Sequence, residues 1–198
     1  MSNPSPRGAR TRADILDVAW RVIAERGTHV SMQEIAAAAG LTRQAVYVHF
    51  RSRGGLLVAL VRRADDRADI HAQFRHALQT DDPRHRLDAF LRVWLDFVPT
   101  IHPVASSLMR ARADDPEAAA AWRDRMTALQ RGFGILAGSL RRDGALGSGW
   151  TVAGAADYLW AGASLQVWEL LAVDRAWGAA RTSRILRRTL AAAVLGPE

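Results

Sequence analysis

The sequence contains no cysteine and no lysine. Without cysteine the protein has no disulfide, no cysteine-ligated zinc and no thiol nucleophile. No apolar run approaches the ~20 residues that a membrane helix needs, and the N-terminus lacks the apolar segment of a secretory signal. We therefore expect a cytoplasmic protein that does not insert into a membrane.

Enzyme motifs are missing as well. The glycine-rich stretch GFGILAG lies inside a predicted helix, follows no strand and fails the spacing of the dinucleotide-binding fingerprint. His71 and His76 are five residues apart, whereas paired zinc ligands on one helix stand four apart. Two Asp-Asp pairs, at 81–82 and 114–115, precede prolines and are better explained as helix caps. We expect no enzyme activity, metal or cofactor, with a helical enzyme carrying a vestigial DNA-binding domain as the alternative.

Positive charge is abundant and unevenly placed. All 27 basic residues are arginine, against 20 acidic residues, for a net charge of +7. Residues 1–55 hold eight arginines and four acids, a net +4, which leaves +3 for the remainder. Arginine recognises phosphate and guanine through paired hydrogen bonds that lysine cannot make, although genomic composition bias also favours arginine. The excess at the N-terminus indicates a polyanion-binding face.

The segment from residue 31 to 53 predicts two short helices joined by a tight turn. Ser31 and Glu34 form a capping box at the start of the first helix. Gly40 follows an alanine run, at the position where a helix ends in a residue that tolerates positive φ. Thr42 is a good N-cap for a second helix, whose Val46 faces inward. This is the pattern of a helix-turn-helix, and an ordinary helical hairpin is the alternative.

Apolar periodicity predicts an all-α protein of about nine helices. We expect them at 11–26, 32–39, 43–49, 55–77, 84–100, 103–113, 116–142, 151–174 and 179–195. Residues 1–8 are predicted to be a disordered arm, which either reaches DNA or is a solvated tail. Residues 9–61 are predicted to form the helix-turn-helix domain, and residues 62–198 a helical C-terminal domain that includes the dimerisation helices. Helix 55–77 would connect the two domains without a break.

Residues 10–60 resemble the N-terminal domain of TetR/AcrR-type bacterial transcriptional regulators. The matching stretches are RADILDVAWRVIAERG, VSMQEIAAAAGLTRQAVYVHFRSR and LLVAL. Tyr47, His49 and Phe50, followed by a basic Arg53, are the most diagnostic. Gly54-Gly55 departs from the acidic or helix-forming pair that is usual at the start of the family's fourth helix. The resemblance implies a DNA-binding regulator whose DNA affinity falls when a small effector binds its C-terminal domain.

The second helix of the helix-turn-helix carries the predicted base readers. Arg43 is expected to pair with guanine and Gln44 with adenine, because the first residues of such a helix reach the base edges. Tyr47 is expected on phosphate, with a core position as its alternative. Side chains at a helix N-terminus can also donate to phosphate. The predicted DNA-binding residues are Thr28, Ser31, Met32, Thr42, Arg43, Gln44, Tyr47, His49 and Arg53.

Aromatic and methionine side chains on several C-terminal helices predict an apolar cavity for the effector. Each of them has a place in the plain core as its alternative. His102 and Gln166 are the polar candidates. The predicted ligand-binding residues are Trp94, Phe97, His102, Met109, Trp122, Met126, Phe133, Trp160, Gln166 and Trp168.

The last two predicted helices favour a homodimer. Helix 151–174 has little charge and several small residues, so it needs burial on nearly all sides. Two helices from each of two subunits would form a four-helix bundle, and burial within the monomer is the alternative. A dimer would place two recognition helices ~34 Å apart on a near-palindromic duplex. The sequence thus predicts a repressor released from its operator by a small apolar effector, or else a DNA-binding protein that recruits a protein partner.

Overall fold

The computed structural model describes residues 6–27 and 29–197, without the side chains of residues 6, 7 and 9. Within this part of the chain the predicted all-α class is confirmed. The helices are α1 (Pro6–Arg26), α2 (Met32–Ala38), α3 (Arg43–His49), α4 (Arg53–Ala68), α5 (Ile70–Leu78), α6 (Pro83–Ala111), α7 (Pro116–Arg142), α8 (Val152–Gly162), α9 (Leu165–Glu169), a π-helical turn (Leu170–Asp174) and α10 (Ala179–Val194). None of the helices in these residues is both long and apolar enough to cross a bilayer.

The chain divides into two compact units. The first unit comprises the described residues up to Asp66 together with Ile101–Arg123, and the second comprises Arg67–Thr100 with Asp124–Glu198. The helices α6 and α7 therefore contribute residues to both units. The functional division predicted between residues 61 and 62 stays a prediction.

The first unit is built around the three-helix headpiece α1–α3. The apolar stripe of α1 is buried, with Ile15 and Ala19 fully shielded from solvent. Val46 of α3 and Leu56 of α4 are equally buried. Burial of one such aliphatic side chain contributes about 2 kcal/mol, so packing rather than intrinsic propensity holds the short helices α2 and α3 in place.

The helix α1 begins earlier than expected. It starts at Pro6 rather than residue 11, because proline at the first helical position needs no amide partner and has a suitable φ. Residues 6–8 of the predicted disordered arm are therefore helical, and residues 1–5 lie outside the described part.

The predicted continuous helix 55–77 is wrong. The helix α4 ends at Ala68, and Asp69 adopts a left-handed conformation with φ 45° before α5 begins at Ile70. Aspartate tolerates that conformation better than most residues. The Gln73 side-chain amide donates to the Ala68 carbonyl at 2.6 Å, which caps the end of α4. The predicted helix is thus interrupted at Asp69.

The predicted break between helices 84–100 and 103–113 is also wrong. The helix α6 continues through Pro99 and Pro103. Each interior proline removes a backbone hydrogen bond and costs about 3 kcal/mol. Burial offsets that cost, because an apolar stripe of α6 is nearly inaccessible; this stripe includes Leu87, Leu91, Leu95, Val98, Ile101, Val104 and Leu108.

The predicted helix 151–174 is wrong as a single element. The helix α8 ends at Gly162, and α9 restarts behind Ser164, whose hydroxyl accepts a hydrogen bond from the Val167 amide. The Trp94 indole Nε1 donates to the Ala163 carbonyl at 2.6 Å and so satisfies the end of α8. The sequence in this region is small and apolar, so a long-range contact decides where the helix breaks.

The core of the second unit joins α5, α6 and α7. The rings of Phe74 and Phe90 have centroids 4.6 Å apart, and Phe90 and Phe133 follow at 5.2 Å. On the other side of α6, Arg187 of α10 makes two 2.8 Å hydrogen bonds to the Asp88 carboxylate. These contacts fix α10 and α7 against α6.

Candidate nucleic-acid interface

The start of α2 is capped as predicted. The Glu34 amide donates to Ser31 Oγ at 3.2 Å, and the Ser31 amide donates to Glu34 Oε2 at 2.8 Å. The backbone and then the hydroxyl hydrogen bond of Ser31 hold the pKa of Glu34 below its ordinary value. The predicted capping box is therefore confirmed, and it fixes the direction in which α2 leaves the preceding loop.

The turn between α2 and α3 is formed by Gly40. Its φ is +66°, a left-handed conformation that glycine adopts without a steric penalty. The Leu41 amide reaches back to the Ala36 carbonyl at 2.9 Å. Thr42 Oγ1 then accepts from the Ala45 amide at 3.1 Å and starts α3. Both ends of the turn are satisfied, so the angle between α2 and α3 is well defined.

The helix α3 presents a polar face to solvent. Val46 is 0% exposed and anchors the inner face. Arg43 and Gln44, the predicted base readers, are both exposed in the first turn. This is the arrangement that a recognition helix requires, because its first turn contacts base edges in the major groove.

Tyr47 is held against Arg43 rather than in the core. The Arg43 guanidinium carbon lies 5.3 Å from the centre of the Tyr47 ring, and Arg43 Nη2 donates to the Tyr47 hydroxyl at 3.4 Å. Tyr47 remains partly exposed. Its ring therefore supports the Arg43 side chain and limits the conformers that must be lost on binding.

Arg53 is used inside the headpiece. Its Nε donates to the Val30 carbonyl at 3.0 Å, and the side chain is partly buried. Burial lowers the pKa of the Arg53 guanidinium, and the nearby Asp115 carboxylate opposes that effect. Arg53 thus connects the start of α4 to the loop before α2. Any phosphate contact of Arg53 would be additional to this role.

The remaining predicted DNA contacts differ in their surroundings. Ser31 and Thr42 are exposed and already serve as caps. Met32 is buried, so its side chain belongs to the headpiece core and leaves only the backbone for a phosphate. His49 is partly exposed at the end of α3. Thr28 lies outside the described residues.

An open groove of about 690 Å³ adjoins the end of α3 in the first unit. Its basic lining residues are Arg12, Arg51, Arg62, Arg63 and His49. The Arg12 guanidinium lies 4.8 Å above the ring of Phe50, which forms part of the wall. None of the ten predicted ligand-binding residues lines this groove.

Those ten residues are divided between the two units. His102, Met109 and Trp122 belong to the first unit, and the other seven belong to the second. In the second unit Phe133 is fully buried among aromatic rings. Trp94 is buried with its indole nitrogen on a backbone carbonyl. Met126 and Trp160 are partly exposed, and Gln166 is exposed.

The family model of the bacterial regulatory proteins of the tetR family matches residues 15–60. This range contains the capped α2, the Gly40 turn and the outward face of α3. Over these residues the chain is similar to the TetR-type bacterial regulators.

Two curated TetR/AcrR-type relatives align with part of the chain. The HTH-type transcriptional activator FasR of Mycolicibacterium smegmatis is 37% identical over 98 residues, which cover 48% of this chain and 43% of FasR. The HTH-type transcriptional regulator AcrR of Shigella flexneri is 49% identical over 47 residues, covering 23% of this chain and 22% of AcrR. The chain thus matches less than half the length of these relatives. They are regulators and not enzymes.

The fold as a whole is shared with solved structures. A protein of Saccharomonospora viridis, crystallised in complex with choline, superposes with a TM-score of 0.78 at 20% identity. The superposition covers 96% of this chain and all of that one. At this identity the likeness shows the fold alone.

Sequence reasoning missed Val48 in this headpiece. Its side chain is 78% exposed on α3, one helical turn beyond Gln44. The helical spacing of apolar positions in α3 predicts that, of its two valines, only Val46 faces inward. The signal that could have found Val48 is an apolar residue standing on the polar face of a recognition helix.

Proposed function

We propose that the protein is a cytoplasmic, dimeric DNA-binding transcriptional regulator. In this proposal it is a repressor that a small apolar effector releases from a near-palindromic operator. The observation that carries the proposal is the outward face of α3. Exposed Arg43 and Gln44 stand at the start of a helix whose buried Val46 fixes its orientation.

The base contacts follow from side-chain chemistry. An arginine fork matches the O6 and N7 acceptors of guanine, and a glutamine amide matches N6 and N7 of adenine. Each such pair contributes ~1–3 kcal/mol of discrimination. Tyr47, His49, Thr42 and Arg53 would bind phosphates and fix the register of α3 on the duplex.

Exposed apolar side chains support the dimer. Tyr158 of α8, with Leu170 and Val173 of the π-helical turn, are between 43% and 56% exposed in the single chain. All three lie in the segment predicted to pair with a second copy. A two-fold dimer would cover them and would present two α3 helices to one face of the duplex.

An effector site in the second unit is supported by its aromatic side chains. Trp94, Phe97 and Trp168 are buried and Trp160 is partly exposed. Aromatic rings of this kind would line a site for an apolar or a cationic small molecule. The structural neighbour from Saccharomonospora viridis holds choline. Binding that favours one spacing of the two headpieces would change operator affinity by shifting the population of conformers.

The DNA-binding proposal is tested by Arg43→Ala. A duplex selected from a random library by the wild-type chain is titrated with wild type, Arg43→Ala and Arg131→Ala. Arg131 is an exposed arginine of α7, so its removal matches the loss of charge. We expect Arg43→Ala to lower the affinity for the selected duplex, relative to the affinity for random DNA, by about tenfold or more. Arg131→Ala should leave that ratio unchanged. An unchanged ratio for Arg43→Ala would refute the base-reader assignment.

The effector proposal is tested by thermal shift. Choline serves as a cationic probe and decanoate as an apolar probe. Operator DNA is then titrated in the presence of any compound that raises the melting temperature. A stabilising compound that lowers operator affinity supports a repressor. A stabilising compound that raises operator affinity contradicts release by the effector and favours an activator, as FasR is. A flat screen together with operator binding would favour a C-terminal unit that recruits a protein partner.

A further inference from the structure

Asp115 joins the first turns of two helices. Its Oδ1 accepts hydrogen bonds from the Glu117 and Ala118 amides, at 2.9 and 3.1 Å, at the start of α7. Its Oδ2 accepts from the Gly54 amide at 2.9 Å, at the start of α4. The two N-termini therefore share one carboxylate. Helix N-termini favour an anion because their amides lack intrahelical acceptors.

Glu117, two residues after Asp115, makes a second contact between α7 and the start of α4. Ser52 Oγ accepts from the Gly55 amide at 2.9 Å and donates to Glu117 Oε2 at 2.7 Å. Ser52 thus caps α4 and is itself held from α7. We call Asp115 and Glu117 together the carboxylate clamp.

The glycine pair at 54 and 55 makes the clamp possible. A Cβ added at Gly54 would lie 2.5 to 2.7 Å from the Asp115 carboxylate atoms, closer than real Cβ contacts. A Cβ at Gly55 would lie 3.0 Å from the Glu117 carboxylate oxygens. Glycine lowers helix stability by about 1 kcal/mol relative to alanine. The close approach of two carboxylates therefore accounts for a pair that departs from the family pattern.

Hydrogen bonding lowers the pKa of Asp115 by more than burial raises it. Desolvation acts to raise the pKa of Asp115, but the amides of Ala118, Gly54 and Glu117 lower it below its ordinary value. The carboxylate is therefore ionised while it bridges the two helices. A charged acceptor makes stronger hydrogen bonds than a neutral one.

We propose that the carboxylate clamp is a positioning element for DNA recognition, a role that rests on the proposed function. Only residues 50–52 separate the end of α3 from the start of α4. The clamp holds Ser52 and Gly54 directly and Gly55 through Ser52, so it limits the tilt of α3 against the rest of the first unit. Asp115 and Glu117 act through α4 and need not touch DNA.

The test uses the full chain with Gly54→Ala and Asp115→Asn, and with Gly134→Ala and Asp114→Asn as matched controls. A Cβ at Gly134 meets nothing within 4 Å, and Asp114 is the exposed neighbour of Asp115. Three quantities are measured: amide hydrogen exchange of residue 54 by NMR, corrected for its intrinsic rate; the melting temperature; and the ratio of operator to random-DNA affinity.

We expect both clamp variants to speed exchange of the residue-54 amide by about tenfold and to lower the affinity ratio by about tenfold, the effect of one charge-assisted hydrogen bond. Random-DNA affinity and its salt dependence should stay at the wild-type level, because no phosphate contact is removed. Gly54→Ala should lower the melting temperature, whereas at a clamp-free position alanine raises it by helix propensity. The two controls should behave as wild type in exchange and in DNA binding.

Three outcomes would overturn the proposal. Unchanged exchange of the residue-54 amide, or a higher melting temperature for Gly54→Ala, would show that the clamp does not form. Faster exchange with an unchanged affinity ratio would show that the clamp stabilises the fold without positioning α3. A wild-type chain that prefers no DNA sequence would instead defeat the proposed function, and the exchange measurement would still report whether the clamp forms.

Discussion

Val48 is an exposed apolar residue on the outer face of α3. Local caps set the frame around this helix, because Thr42, Gly40 and the Ser31–Glu34 pair act within four residues of their partners. The exposure of Val48 depends on how α3 packs on α1 and α2. An exposed valine contributes little to stability in a helix, so stability does not explain its presence on this face.

We predict that Val48 reads a thymine methyl group, because apolar side chains contact that group in the major groove. Val48→Ala should remove the preference for thymine at one position of the selected duplex and should change stability by less than about 0.5 kcal/mol. Library selection with the variant checks the first point, and urea unfolding checks the second. Ile135→Ala, at an exposed apolar site on α7, is the control and should leave the selected sequence intact. Identical thymine preference in Val48→Ala would contradict the assignment.

Among the helices, local propensity and capping residues predicted where a helix starts. They did not predict whether a helix continues or breaks. The start of α7 behind Asp115 and the start of α3 behind Thr42 follow from local caps. The path of α6 through two prolines follows from burial, which no local window contains. The break at Asp69 is equally invisible, because no glycine or proline marks it. Long-range contacts such as Trp94 to Ala163 decide the remaining helix ends.

Acid should weaken the contact between α6 and α10. Burial acts to raise the pKa of Asp88, but hydrogen bonds from Arg187 and Arg92 lower it below its ordinary 3.8. Because the pKa is lower in the folded state, the ionised carboxylate stabilises the fold above pH 3.8, and this stability is lost as the pH falls through the folded value.

We predict that Asp88→Asn lowers the urea midpoint at pH 6 and flattens its decline as the pH falls towards 3. Urea unfolding at a series of pH values, with the exposed Asp124→Asn as control, measures both effects. A decline as steep in Asp88→Asn as in wild type would show that the Arg187 fork contributes nothing to acid sensitivity.

At the scale of the whole molecule, the sequence predicts the class of fold and the place of the DNA-binding helix. It does so because the helix-turn-helix is compact and locally encoded. The ligand-binding residues are less predictable, since an aromatic side chain has the same periodicity in a core as in a cavity wall. Phe133 shows this, because full burial between rings makes it part of the core.

The exposed apolar residues of the second unit predict which substitution would dissociate the proposed dimer. Leu170→Arg should shift the chain from dimer to monomer, because it places a charge where an apolar interface would form. Sedimentation velocity measures the mass, and the 21.7 kDa chain makes the two states easy to separate. Arg131→Ala should remain dimeric. A wild-type chain that sediments as a monomer at micromolar concentration would contradict the dimer.

In the proposed function, two copies of α3 read one duplex as a two-fold pair. This pairing is measured by selecting duplexes from a random library with the wild-type chain and sequencing them. We expect an enriched inverted repeat whose half-site centres lie about 10 base pairs, or ~34 Å, apart or a multiple of that spacing. A library with no enriched sequence, or with one unrepeated half-site, would rule the two-fold pair out.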